Sequence, residues 1–421
     1  MKVLVLGSGG REHALVHWLS KDEQIKKIWI APGNGGTSDV AESIDLPLQH
    51  FDEILNFCQK EKIDFMIPGP EQPLVDGIAD YFQNQKSKTF VLGPHKSGAQ
   101  LEASKSFSKA FMREFNIPCA ESKTFTSERL GEAFLFLEKL SAPFVLKADG
   151  LAAGKGVLIL NNLAEAKSAL TAMLIDKQFG SASEKVVVEE FLEGIEFSVF
   201  ILTDGTDYVL LPEAKDYKRI GEGDIGLNTG GMGSISPVPF FDESLRKKVE
   251  KKIIEPTLHG IKSRGLQYCG FLFFGLMVVG SEPYVIEYNA RMGDPETQSV
   301  LPRMISSAGD LLHAVKTNSL KEHKIEIDSR ACSSVVMVSG GYPGNYAKNK
   351  EIEIGKTEDY IFHAGTKKVG NKLYTNGGRV LASTAMGKDA RAALKKSYQQ
   401  IKQVSFENCY YRKDIGKDIL K

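Results

Sequence analysis

Several features that would place the chain in a secreted, membrane-bound or nucleic-acid-coating class are missing. Its five cysteines (58, 119, 269, 332 and 409) are widely spaced and form no Cys-x-x-Cys pair. That argues against a disulfide framework and a thiolate zinc site. Neither sign of charge dominates, since 53 lysines and arginines face 53 aspartates and glutamates. A protein that coats nucleic acid carries a basic surplus, so no nucleic-acid partner is expected. Long apolar runs are absent too: Phe271–Val279 is about half a membrane span and reads as a buried strand. The apolar start, Met1–Gly7, is too short for a signal peptide. There is no internal repeat and no low-complexity segment. The expectation is a cytoplasmic chain with reduced thiols and no membrane association.

What remains is an ordinary globular composition, 42% hydrophobic and 25% charged over 421 residues. That length implies two to four domains. In the first hundred residues, short apolar segments (2–6, 27–30, 63–67, 89–92) alternate with helical patterns (12–20, 51–60, 74–82). Strand, helix, strand at this interval predicts a parallel sheet covered by helices, with ligands at the carboxyl ends of its strands. From Glu102 the texture changes. A helix is expected over 103–115, then a compact α/β unit over 123–192 with strands at 144–147, 157–160 and 186–190. Further strands and a helix over 244–264 follow. The end is strand-rich (332–338, 379–383) and closes with a helix over 390–404.

Four glycine-rich or charged segments could carry chemistry. Gly7-Ser-Gly-Gly-Arg-Glu12 follows a strand and opens a helix, a context that suits an anion. Glu12 stands where a dinucleotide fingerprint needs glycine, which leaves a phosphate or sugar site against a packing turn. His13 and His17 are one helical turn apart, but Ala14 breaks the zinc-protease pattern, so packing or surface roles are expected. In Lys147-Ala-Asp-Gly-Leu-Ala-Ala-Gly-Lys-Gly156 the spacing is wrong for a P-loop, and the turn joins two strands. Lys147 on a strand with Gly154-Lys155-Gly156 above it could hold a triphosphate from two sides; a solvated hairpin is the alternative. After the acidic pair Glu189-Glu190, the backbone of Phe191 and Leu192 could border an adenine, and Glu196 could accept from ribose hydroxyls. The loop 213–233 is long, charged and without period, and is expected to close over a site.

The strongest signal is Tyr284-Val-Ile-Glu-Tyr-Asn-Ala-Arg291. Read as a strand, it puts Glu287, Asn289 and Arg291 on one face. Glu287 and Asn289 offer two hard oxygens, which suits magnesium, and Arg291 could steady a transferring phosphoryl group.

Taken together these segments resemble the ATP-grasp superfamily and, within it, the phosphoribosylamine–glycine ligases. The resemblance runs nearly the whole length: Gly7–Ala14, Pro32–Gly35, Gly69–Glu71, Leu146–Gly156, Asp216–Arg219, Asn228–Gly233 and Arg291–Glu296. Met292 replaces the usual leucine or phenylalanine, and Ile195 replaces the first of two glutamates, while Glu196 keeps the second position. The implied fold is α/β and α+β multidomain. An N-terminal parallel α/β substrate-binding domain (1–102) precedes a two-lobed ATP-grasp core (103–122 and 193–326) with a mobile lid (123–192) and a C-terminal strand-rich α+β domain (327–421). The implied reaction joins glycine to 5-phosphoribosylamine through glycyl phosphate, giving glycinamide ribonucleotide, ADP and phosphate; another ATP-grasp carboxylate–amine ligase of purine metabolism is the alternative. By resemblance, Lys147 and Arg291 are catalytic. Lys147, Gly154, Lys155, Gly156, Glu189, Glu190, Phe191, Leu192 and Glu196 bind ATP, and Glu287 and Asn289 bind magnesium or manganese. Gly9, Gly10, Glu12, Asn34, Gly35, Asp216, Lys218, Gly293, Asp294 and Pro295 would contact glycine and phosphoribosylamine. A monomer is expected, with a dimer as the alternative.

Overall fold

The computed structural model describes residues 1–151 and 156–420. At the N-terminus five parallel strands lie in the order Glu42–Ser43, Lys27–Pro32, Lys2–Gly7, Phe65–Pro68, Phe90–Val91. The first strand is central, and the chain leaves it to one side and later returns to the other. The loops after Gly7, Pro32 and Pro68 therefore gather at one edge, the usual place for a ligand in such a sheet. Side chains alternate across the strand: Val3 and Val5 enter one core, Leu4 and Leu6 another. Both faces are buried, which explains the unbroken apolar run.

The second layer is antiparallel. Its strands run Tyr208–Leu210, Ile195–Thr203, Gly270–Val279, Glu282–Asn289. Phe271, Phe273 and Phe200 pack with Val3 and Val5, whereas Leu272, Phe274 and Phe197 pack with Leu4 and Leu6. Two cores thus join the two sheets, one on each face. The helix expected over 244–264 is Glu243–Val249 and Glu255–Ser263 with a π-turn, Glu250–Ile254, between them. Pro256 has no N–H and crowds the carbonyl four residues earlier, and a wider turn absorbs this.

Residues 122–190 hold a small sheet in the order Ser122–Phe125, Val186–Glu190, Phe144–Ala148, Val157–Leu160. Helices Leu130–Leu137 and Leu163–Leu174 cover one face, where Phe125, Leu146, Leu170 and Val188 pack. The period of two leaves Val145, Lys147 and Glu189 on the other face. The C-terminal sheet (Lys215–Asp216, Gly233–Ser236, Ala331–Val338, Arg379–Gly387, Tyr360–His363) carries helix Ala390–Ile401. Its first strand lies in the segment read as a periodless loop and its second begins where that segment ends; between them the segment folds into a hairpin, Arg219–Gly221 with Ile225–Asn228. These strands are two to four residues long, too short for a periodic pattern to show.

Other boundaries shift locally. The helix expected over 103–115 is Lys105–Glu114, preceded by a separate helix Lys96–Ala103. Extended Ser104 divides them and caps the second, its hydroxyl accepting from the Phe107 N–H. The helix over 74–82 breaks at Gly77, which has φ 95° and separates Glu71–Asp76 from Ile78–Asn84. Among the described residues no helix is long and apolar enough to cross a membrane.

Candidate active site

A cleft of about 1380 Å³ opens between the two central sheets, the 122–190 unit and the C-terminal sheet. Its floor is the strand Glu282–Asn289, and here the structure refines simple alternation. The register against Gly270–Val279 shifts between Gly275 and Leu276, which face Glu287 and Val285 and leave Ile286 as an extra residue. Such a bulge re-aims the side chains that follow. Ile286, Glu287, Tyr288 and Asn289 all border the cleft, and the largely buried Tyr288 has its hydroxyl 2.9 Å from that of Thr257. Burial works to raise the Glu287 pKa, but Lys218, Lys147, Lys105 and Arg291 outweigh it and hold the carboxyl below its ordinary value. An ionised oxygen donor beside a neutral amide, ringed by ammonium groups, fits a divalent cation that shares its shell with phosphates. No group of three His, Cys, Asp or Glu side chains placed to hold a metal occurs among the described residues.

Arg291 follows the strand and turns toward the N-terminal domain. Its Nη2 lies 2.8 Å from Glu102, its Nε 3.4 Å from Glu71, and its Nη1 donates to the Met292 carbonyl at 3.1 Å. Burial opposes its charge, but the Glu102 and Glu71 carboxylates more than compensate. Burial pushes Glu102 up to about 6 despite Arg291.

On the opposite wall, Lys147 and Lys109 share one carboxylate oxygen, Oε2 of Glu189, at 2.9 and 3.3 Å. All three side chains are buried, and Glu189 Oε1, Lys109 Nζ and Ser108 Oγ have no hydrogen-bond partner among the described residues. Buried polar atoms left open in a cleft are costly unless something completes them. Glu190, Phe191, Leu192 and Gly156 line the same end. Gly154 and Lys155 lie outside the described residues.

Glu196 pairs with Lys218, and Asp216 and Glu296 lie behind them. Burial raises both of these carboxyls well above their ordinary range, each reinforced by nearby negative charge. Gly293 abuts Glu296: a Cβ there would sit 2.5 Å from its Oε2.

The remaining sequence candidates are engaged inside the protein. Glu12 folds back under its own loop, accepting from the Gly9 N–H at 2.6 Å and from Arg11 Nε at 2.5 Å. The helix N-terminus therefore carries its own anion. A Cβ on Gly9 would lie 3.1 Å from Asp294, and one on Gly10 would strike Gln298 at 2.5 Å. The Asn34 amide donates to Ser8 and His363 carbonyls at 2.9 and 2.8 Å, and the Gly35 N–H to Thr366 Oγ1 at 3.1 Å. These residues stitch the N-terminal loops to the C-terminal domain. His13 belongs to the same seam, its Nδ1 accepting from the His363 N–H at 2.8 Å. Asp294 lines the cleft and meets Arg379 at 3.2 Å and Gln298 at 2.7 Å. The Pro295 carbonyl accepts from the Ser234 hydroxyl.

Three family models cover most of the chain: the N domain of phosphoribosylglycinamide synthetase over residues 1–102, its ATP-grasp (A) domain over 103–297, and its C domain over 332–418. The phosphoribosylamine–glycine ligase of Fusobacterium nucleatum is 43% identical over 99% of this chain and 98% of its own length. That of Clostridium acetobutylicum is 44% identical over 99% and 100%. The chain belongs to the phosphoribosylglycinamide synthetase family. A crystal structure of the Thermotoga maritima phosphoribosylamine–glycine ligase superposes with a TM-score of 0.84 at 35% identity, covering 98% of this chain and 100% of that one. A biotin carboxylase from Campylobacter jejuni, 14% identical, superposes with a TM-score of 0.72 over 97% of this chain and 92% of its own, and shares the fold.

Within this synthetase fold, several cleft residues escaped the sequence reading. Lys105 and Lys109 lie four apart on helix Lys105–Glu114, a spacing that puts both on one face and could have flagged them. Lys105 donates to the Gly150 carbonyl at 3.2 Å, and burial lowers its pKa even though Glu287 opposes the shift. Glu102 and Arg379 carry no local signal; only the folded chain brings them to the cleft.

Proposed function

We propose that this synthetase catalyses ATP-dependent ligation of glycine to 5-phosphoribosylamine in purine biosynthesis, giving glycinamide ribonucleotide, ADP and phosphate. What carries the reading is the conjunction of the full-length family match with a lysine-ringed cleft whose floor presents Glu287 and Asn289. A carboxylate is a poor electrophile, so glycine must first become an acyl phosphate, which the sugar amine then attacks. Lys147 and Lys105 neutralise phosphate charge, and the open valences of Glu189, Lys109 and Ser108 suit the polar edge of a base beside Phe191 and Leu192. Glu196 would accept hydrogen bonds from the ribose. Glu287 and Asn289 would hold magnesium or manganese, which supplies charge neutralisation at the phosphates.

Glycine and phosphoribosylamine would lie near Asp216, Lys218, Gly293 and Asp294, with Arg291 orienting the carboxylate or the transferring phosphoryl group. The 122–190 unit excludes water from the acyl phosphate when it closes. The working form is a cytoplasmic monomer. Glycine labelled with ¹⁸O in its carboxylate tests the chemistry. Inorganic phosphate should carry one labelled oxygen, and unlabelled phosphate would rule out the acyl phosphate route.

A further inference from the structure

We infer that Arg412 is a positioning residue for ligation, setting the segment that carries Asp216 and Lys218 from the C-terminal side of the cleft. The inference rests on the reading of Asp216 and Lys218 as substrate-facing. Arg412 is among the most deeply buried large side chains, at 2% exposure, yet it borders the cleft. Its Nη1 donates to the Arg219 carbonyl and to Asp224, both at 3.0 Å, across 193 and 188 residues of chain. Its Nε and Nη2 fork onto the two oxygens of Asp414 at 2.8 Å each. Its guanidinium carbon lies 5.4 Å from the ring centroid of Tyr217. One planar cation thus touches Tyr217, Arg219 and Asp224, the residues that flank Lys218 and cross the hairpin tip.

The neighbours of Arg412 reinforce the same grip. Asp414 accepts from the Gly223 N–H at 2.7 Å, the Tyr410 hydroxyl donates to the Ile220 carbonyl at 3.0 Å, and the Tyr217 hydroxyl donates to Asp418 at 2.8 Å. On its other side Thr229 donates twice to the Lys218 carbonyl, and Lys218 pairs with Glu196. The strands between are two to four residues long, too short to fix their own geometry. Side-chain bonds from the 410–418 segment therefore hold Tyr217, Arg219 and the hairpin tip around Lys218, beside the sheet pairing of Asp216 with Ser234. A lysine at 412 would keep the charge, but its single ammonium cannot reproduce a fork and two further bonds.

The test is steady-state kinetics of Arg412→Lys, with glycine and phosphoribosylamine varied separately, beside nucleotide affinity and the thermal midpoint. The KM for glycine or phosphoribosylamine should rise about ten- to a hundredfold while ATP affinity stays within about threefold and the midpoint within a few degrees. Parent-like KM values for both substrates overturn the inference, as does a parallel loss of nucleotide affinity and thermal stability. If Arg412→Lys fails to fold, Tyr410→Phe and Asp224→Ala each remove one outer bond and should raise the same KM about two- to fivefold; no change in either overturns it. Asp216→Asn and Lys218→Met separate the two layers of reasoning. Normal KM values in both would sink the substrate-facing reading and the inference with it. Raised values in those variants, with a parent-like Arg412→Lys, would sink the positioning role alone.

Discussion

Gly69→Ala should destabilise the protein through a residue that is distant in sequence, Glu12. A Cβ built on Gly69 overlaps Glu12 Oε1 and lies 2.7 Å from both its Cδ and Cγ. Glu12 cannot swing aside cheaply, because it is 2% exposed and bonded to both the Gly9 N–H and Arg11. Overpacking of this kind costs about 1–3 kcal/mol. Losing the charge-assisted bond at the helix start costs about 1.5–3 kcal/mol more if the carboxylate is expelled. The chain will take the cheaper mixture, so a loss of about 3 kcal/mol is expected. For the large cooperative unit formed by the two packed sheets, that corresponds to a thermal midpoint lower by about 6–10 °C. The discriminating assay is a double-mutant cycle with Glu12→Ala, read by denaturant unfolding. Removing the carboxylate makes room for the new methyl, so the double variant should be no less stable than Glu12→Ala alone. Additivity of the two losses within about 0.5 kcal/mol would show that the contact does not govern Gly69.

Three further outcomes are expected. Glu287→Gln should lower ligation by about a hundredfold or more with an unchanged circular dichroism spectrum; near-parent turnover would remove the metal role. Lys147→Met should raise the KM for ATP by about tenfold or more while leaving the KM for glycine little changed, measured by varying each substrate in turn. Stability should fall on acidification through the histidine seam. Burial holds His13 down to about 3, and His17 and His363 down to about 4, so all three are neutral when folded near neutrality. Their unfolded values lie near 6.5, so their contribution is complete above pH 6.5 and is lost as pH falls toward 4 and 3. His13→Asn should flatten the fall of the midpoint between pH 6.5 and 4, and an identical slope would refute the assignment.

Much of this was legible in the chain itself. Val3 to Leu6 announces a strand buried on both faces, and Phe271 to Val279 one buried on both faces as far as Leu276, because unbroken apolar runs of that length have few other uses. Glu287 and Asn289 showed themselves because chemistry at two-residue spacing survives even a bulge at Ile286. What stayed hidden was created by tertiary contact. Nothing near Glu12 in sequence reveals that its carboxylate fills the space above Gly69, or that Asn34 and Gly35 meet His363 and Thr366. That Arg291 also pairs with Glu71 and Glu102, which arrive from the N-terminal domain and its border, is equally absent from the sequence. The hairpin after Lys218 was invisible for a different reason. Its strands are held by Arg412, Asp414 and Tyr410 rather than by any pattern of their own.

The most direct test is ADP release by the purified protein with ATP, magnesium, glycine and phosphoribosylamine generated in place. ADP should form in step with glycinamide ribonucleotide, one for one, and fall to background when either glycine or the amine is omitted. Sustained ADP release that ignores glycine, or that continues without forming the amide, would contradict the ligase assignment.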